Sequence, residues 1–111
     1  MFQFINKAAI EYIYRGRVDE VIPDDVTVII IHRSVKKIPI RAFRNCKRLE
    51  RVKLHKEVTN IGYGAFYNCV NLKEINLHDS SIEVINDSAF GGCHSLDVVK
   101  LPPSLKRING N

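Results

Sequence analysis

The strongest constraint on this chain is a repeat. The segments AFRNC (42–46), AFYNC (65–69) and AFGGC (89–93) begin 23 and then 24 residues apart. Around them the same apolar slots recur: Phe43, Phe66 and Phe90; Cys46, Cys69 and Cys93; Leu49, Leu72 and Leu96. Further along come Val52, Ile75 and Val99, then Leu54, Leu77 and Leu101. Each unit closes on Val58, Ile82 or Leu105, followed by Ile61, Ile85 or Ile108. Upstream, Ile29, Ile31, Val35 and Ile38 occupy the slots of Val52, Leu54, Val58 and Ile61, and one extra residue enters at Ser80–Ser81. A unit this short cannot bury its own apolar side, so it must stack on its neighbours to form a core.

The spacing inside a unit predicts its local structure. In LERVKLH, Val52 and Leu54 alternate with Arg51, Lys53 and His55, the period of a half-buried strand. INLH and VKLP repeat that pattern, and IIIH is its fully apolar version. In AFRNCKRL, the apolar residues Ala42, Phe43, Cys46 and Leu49 follow helical spacing, which predicts a short helix or 3-10 turn. The expected fold class is therefore an α/β repeat: a right-handed solenoid of about four coils with short strands and short helical or 3-10 turns. Residues 1–25 are expected to cap it, with AIEYIYRG supplying a strand or helix over the first coil. The solenoid then runs over 26–111, in units of about 39–61, 62–85 and 86–108.

These residues resemble the BspA-like leucine-rich repeat, a family spread through bacterial surface proteins and many protists, diatoms included. Its frame, I-x-x-x-A-F-x-x-C-x-x-L-x-x-I-x-L-P, is carried closely by IGYGAFYNCVNLKEINLH and INDSAFGGCHSLDVVKLP. The segment EYIYRGRVDEVIPDDVTVIIIHRSVKKIPIRAF is similar to the entry of diatom members. Two departures stand out: histidine replaces the usual proline after three strands, and Pro39 sits where Gly62 does in the next unit. The resemblance implies a leucine-rich-repeat solenoid with a binding role and names no ligand.

Composition narrows the class. Apolar content of 45% with 26% charge excludes a disordered chain. No apolar run is long enough to span a membrane, and the N-terminus lacks the pattern of a secretory signal. An odd cysteine count argues against a closed disulfide framework, and with the missing signal it predicts a cytoplasmic location. A net charge of +5 permits an acidic partner without requiring one.

Three features are candidates for chemistry. Cys46, Cys69 and Cys93 stand singly, one coil apart, without the close pairing of a zinc site, and are expected to be wall residues with the Phe and Leu columns. His32, His55 and His78 recur at repeat spacing after successive strands, with Pro102 in the fourth place, and could form a pH- or metal-responsive edge. RAFRNCKRLERVKLHK carries seven Lys or Arg against one Glu. Arg41, Arg44, Lys47 and Arg48 fall on the outer side of its turn, as a basic patch. No aromatic residue is expected on that outer surface, since Phe43 points inward, so nucleic acid is not an expected partner. No nucleophile elbow, phosphate loop, zinc-protease helix or dinucleotide turn occurs, and Asp24–Asp25 reads as a turn.

The expected function is thus non-enzymatic recognition of a protein, without cofactor or metal. The surface is expected on the outward positions His32, Arg51, Lys53, His55, Glu74, Asn76, His78 and Lys100, with self-association through the C-terminal coil as a further expectation. The alternatives are a structural fragment of a longer array and a basic, histidine-lined module responding to polyanions or metal.

Overall fold

The computed structural model describes residues 8–110, so residues 1–7 of the expected cap lie outside the described residues. Eight short strands follow one another: β1 (Glu11–Tyr14), β2 (Val28–Ile31), β3 (Lys37–Ile38), β4 (Arg51–Lys53), β5 (Asn60–Ile61), β6 (Glu74–Ile75), β7 (Val84–Ile85) and β8 (Arg107–Ile108). They form two parallel sheets in the orders β1-β2-β4-β6 and β3-β5-β7-β8. The first register aligns Tyr12, Ile29, Val52 and Ile75, and the second aligns Ile38, Ile61, Ile85 and Ile108. Three coils, β2–β3, β4–β5 and β6–β7, thus pass through the first sheet and then the second, while β1 adds only to the first sheet and β8 only to the second. Val52 is buried while Arg51 and Lys53 face out, as strand alternation requires.

The turn segments differ from the expectation. No helix occurs among the described residues, and the helical or 3-10 turns are replaced by successive hydrogen-bonded turns. The amides of Arg44, Cys46 and Leu49 donate three residues back, to the carbonyls of Arg41, Phe43 and Cys46. Between them, the amides of Arg41, Phe43 and Asn45 donate to Tyr63, Ala65 and Tyr67 of the next coil, at 2.8–2.9 Å. Gly64, Phe66 and Asn68 do the same to Asp87, Ala89 and Gly91. A helix needs those amides for its own turn, so the axial bonds exclude it. Two left-handed residues per segment make the alternation possible: Arg41, Gly64 and Ser88 at φ 55°, 57° and 56°, then Asn45, Asn68 and Gly92 at 62°, 63° and 73°. Asn and Gly are the residues that tolerate this region; Arg41 and Ser88 carry strain there.

The core is a set of axial columns. Phe43 stacks on Phe66 at 5.2 Å and Phe66 on Phe90 at 5.4 Å, while Tyr14 closes the first end edge-on to Phe43 at 4.8 Å. Phe43, Leu49, Phe66, Cys69 and Leu72 are fully buried. Cys46, Phe90, Cys93 and Leu96 are packed against this core but only partly buried. Side-chain rungs join the coils where the backbone does not. Asn68 donates to the side-chain oxygen of Asn45, Asn71 to the Lys47 carbonyl, Ser95 to Val70, and Asn86 to Ile61.

The last coil also departs from the expectation. VKLP does not extend the first sheet, which ends at β6, and Lys100 lies in irregular chain. Leu101 and Ile108 are exposed because no further described coil covers them, and Val98 because it takes the outward place of Arg51 and Glu74. At the other end, Tyr12 donates to Glu20 at 2.5 Å, and the amides of Arg15 and Arg17 donate to the same carboxylate. Burial pushes Glu20 up, but these hydrogen bonds outweigh it and hold its carboxyl below the usual range. The Glu20 carboxylate pushes Tyr12 up to about 12.

This packing generates two tests. A Cβ on Gly62 would fall 2.6 Å from the Ile38 carbonyl and 2.8 Å from the Ile40 nitrogen, so Gly62→Ala must push neighbouring coils away from each other. Its expected cost is about 2–3 kcal/mol, read from urea unfolding. For the Tyr12–Glu20 link, the raised tyrosine contributes fully below pH 10.0 and loses its contribution as pH rises to about 12. The lowered carboxyl contributes above 4.5 and fails as pH falls through its folded value. The stability difference between wild type and Tyr12→Phe is therefore widest between those limits and closes at both ends.

Candidate functional site

The outer face of the first sheet displays two lateral columns. One runs Glu11, Val28, Arg51, Glu74; the other runs Ile13, Ile30, Lys53. Arg51 pairs with Glu74 at 3.5 Å, and Lys53 spans β2 to reach Glu11 at 3.7 Å. Both pairs are exposed and contribute little to stability, about 0–1 kcal/mol each. They border an apolar strip made of Ile13, 44% exposed, and the half-buried Ile30. Beside Arg51 lies an open groove of about 740 Å³, lined also by Ile10, Thr27, Arg48, Glu50 and Asn71.

The expected surface residues do not all share this face. Arg51, Lys53 and Glu74 lie on it. Asn76 and His78 belong to the following turn, where both contact the Asp79 carboxylate, and Lys100 lies beyond the sheet. The histidine column dissolves into local bonds. His32 contacts Ser34 at 2.8 Å, and His78 contacts Asp79 at 3.0 Å. His55 accepts from the Glu57 amide through Nδ1, which leaves Nε2–H to donate to the Val35 carbonyl of the preceding coil. No group of three His, Cys, Asp or Glu positioned for a metal ion occurs among the described residues.

The cysteine column is an axial hydrogen-bond series. The Cys69 thiol donates to the Phe43 carbonyl at 3.1 Å and Cys93 to Phe66 at 3.1 Å; all three cysteines are free. The neighbouring Cys46 sulfur and burial both push the Cys69 thiol up. The Cys69 thiol lowers Cys46 against the effect of its own burial, and burial raises Cys93.

The turn side overturns a premise drawn from the sequence. Arg41 and Arg44 do meet aromatic rings, supplied by the next coil: the guanidinium of Arg41 lies 5.2 Å from the Tyr63 ring centre and that of Arg44 5.8 Å from Tyr67. Both tyrosines are exposed. Arg44 and Tyr67 are one repeat apart, so alignment of the coils would have revealed the pair, whereas a linear scan of 41–56 could not. Ile13 and Ile30 were missed for a different reason: β1 pairs with β2 at a spacing of 17, outside the repeat.

A stack of parallel two-sheet coils with one apolar column per consensus position defines a leucine-rich-repeat protein. The chain belongs to the BspA-type leucine-rich-repeat family, whose model matches residues 24–111 in six copies. It is similar to a leucine-rich-repeat protein of T. pallidum, at 29% identity and a TM-score of 0.69, over 75% of this chain and 41% of that one. It is also similar to one from Bacteroides ovatus, at 30% identity and 0.65, over 74% of this chain and 24% of that one. The chain thus spans less than half the length of either. A search of curated proteins found none that is similar. Proteins of this family and fold are generally non-enzymatic, and no helix among the described residues is long and apolar enough to cross a membrane.

Native thiol labelling reads the cysteine column. Cys46, half-buried and lowered, is expected to react first and Cys93 more slowly, with Cys69 protected until unfolding. Cys46→Ser should remove the fast phase.

Proposed function

We propose that this chain is a protein-recognition module whose contact surface is the outer face of the first sheet. One observation carries the reading: exposed Ile13 and half-buried Ile30 form an apolar strip bordered by the charged pair Lys53–Glu11, with Arg51–Glu74 beyond it. An apolar centre within a polar rim is the general anatomy of a protein interface. Membership of the leucine-rich-repeat family supports the same class, since its members usually act by binding proteins. The strip is laid on parallel strands fixed by their neighbours in the sheet, so it is presented without ordering cost, which favours affinity.

The test is a partner isolated with wild-type protein at physiological salt and then titrated against variants. Ile13→Asp is expected to weaken binding by about 2 kcal/mol, the scale of a lost interface anchor. Arg51→Ala with Lys53→Ala should weaken it less and mainly slow association. The arginine and lysine changes should not move the unfolding midpoint appreciably, because both side chains are more than half exposed. Ile13→Asp, at a side chain 44% exposed, should lower it modestly while the protein stays folded. A partner that binds Ile13→Asp as tightly as wild type overturns the assignment of this face.

A further inference from the structure

Among the described residues, five cations are tied to carboxylates and the others, Arg41 and Arg44 among them, are not. Lys36, Arg51, Lys53, Lys73 and Lys106 each have a glutamate within 4.0 Å, at Glu57, Glu74, Glu11, Glu50 and Glu83. These pairs join one coil to another along the two sheets. Arg41 and Arg44, by contrast, have no carboxylate at that distance among the described residues, and Lys47 and Arg48 continue their charge along the same turn. What they have instead is aromatic support. Arg41 lies over Tyr63 and Arg44 over Tyr67, and between the two tyrosines runs an open groove of about 290 Å³. Gly64 and Ser88 complete its lining.

The groove is built and held. Tyr67 is seated on Gly91 of the following coil, where a Cβ would come within 2.9 Å of its ring. Arg44, Tyr67 and Gly91 therefore stand in one axial column, with the ring in contact with both the guanidinium and the glycine. Arg41 is held at φ 55°, in a place that Gly64 takes in the next coil, so its side chain is kept there at a backbone cost. The acid in the neighbouring column, Asp87, turns its carboxylate toward Gly110 and leaves the groove's charge uncompensated.

We infer that this turn-side groove is a second docking site, distinct from the first-sheet face, and that its occupant is an acidic segment of a protein. Charge complementarity sets the sign of the occupant. A guanidinium laid over a ring keeps its planar fork free at the edge, where it donates two parallel hydrogen bonds to one carboxylate. Two such forks, one on each tyrosine, suit two carboxylates on an extended peptide. Single-stranded nucleic acid shares the negative charge but stacks its bases on open ring faces, and one face of Tyr63 and one of Tyr67 already carry a guanidinium.

The experiment uses the full chain and fluorescence anisotropy at physiological ionic strength. The probes are a short labelled peptide rich in Glu and Asp and a labelled oligothymidine of equal charge. The peptide is expected to bind saturably and the oligothymidine more weakly. Arg41→Gln with Arg44→Gln should weaken the peptide about tenfold or more, the scale of lost charge-assisted hydrogen bonds. Arg44→Gln alone should give a smaller loss of the same kind without touching the strained residue. Tyr67→Leu, which retains every charge, should also weaken it by removing the support of Arg44. Lys106→Gln, which removes a cation paired with Glu83 and outside both surfaces, should leave the affinity unchanged. Tighter binding of the oligothymidine, no saturable binding of the peptide, or indifference to the arginine substitutions overturns the inference.

Discussion

The whole structure depends on the direction of its backbone hydrogen bonds. Each coil sends its amides and carbonyls along the solenoid axis to the coil on either side, in the strands and in the turns alike. A coil that bonds outward has no internal ladder, so no single coil is stable alone and stability accrues through interfaces. The left-handed residues follow from this requirement: Asn45, Asn68 and Gly92 reverse the local path so that alternate amides point to the next coil. The close approach of Gly62 to the Ile38 carbonyl follows as well, because the bond from its own amide to that oxygen is 2.8 Å long.

Axial bonding also decides what the repeated side chains do. A cysteine in this position is a small apolar filler whose thiol reaches the carbonyl of the preceding coil's phenylalanine. That carbonyl already accepts the amide three residues further along its own turn, and the thiol is its second donor. The phenylalanine rings, separated by 5.2 and 5.4 Å, are set by the same coil spacing. Side chains that face outward inherit the register, so any polar or aromatic residue at a repeated position is lined up with its counterparts.

Much of this was legible in the sequence because period and alternation act one residue at a time. The inward set, Phe43, Leu49, Val52, Val58 and Ile61, is fixed by its recurrence, and all five are buried. The turns were misread because apolar spacing of three and four marks an inward face whether the backbone is a helix or a chain of turns. The distinguishing signal was present in the Asn45, Asn68 and Gly92 column, whose residue types favour the left-handed region. The strand at VKLP failed because alternation states only which side faces in. Pairing needs a neighbour that holds the register, and the extra residue at Ser80–Ser81 and the uncovered last coil weaken it. The histidine column shows the limit of periodicity: equal spacing brought the rings to equivalent places, but Ser34, Glu57 and Asp79 drew each into a different bond.

Charge is arranged by the same geometry, and this separates surface that serves the fold from surface left for other molecules. Along the sheets, a residue and its neighbour one coil away lie one strand apart, and Arg51–Glu74, Lys73–Glu50 and Lys106–Glu83 meet across that step. These pairs offset the like-charge repulsion that stacking would otherwise produce. On the turn side the equivalent step joins arginine to tyrosine. The ring orders the guanidinium but leaves its charge in place, so repulsion among Arg41, Arg44, Lys47 and Arg48 remains in the free protein. An acidic ligand relieves that repulsion as it binds, whereas a ligand on the first-sheet face must displace water from Ile13 and compete with ion pairs already made. The two faces therefore differ in their response to salt: contact on the turn side weakens steeply as salt rises, and contact on the sheet, being apolar at its centre, does so only slightly.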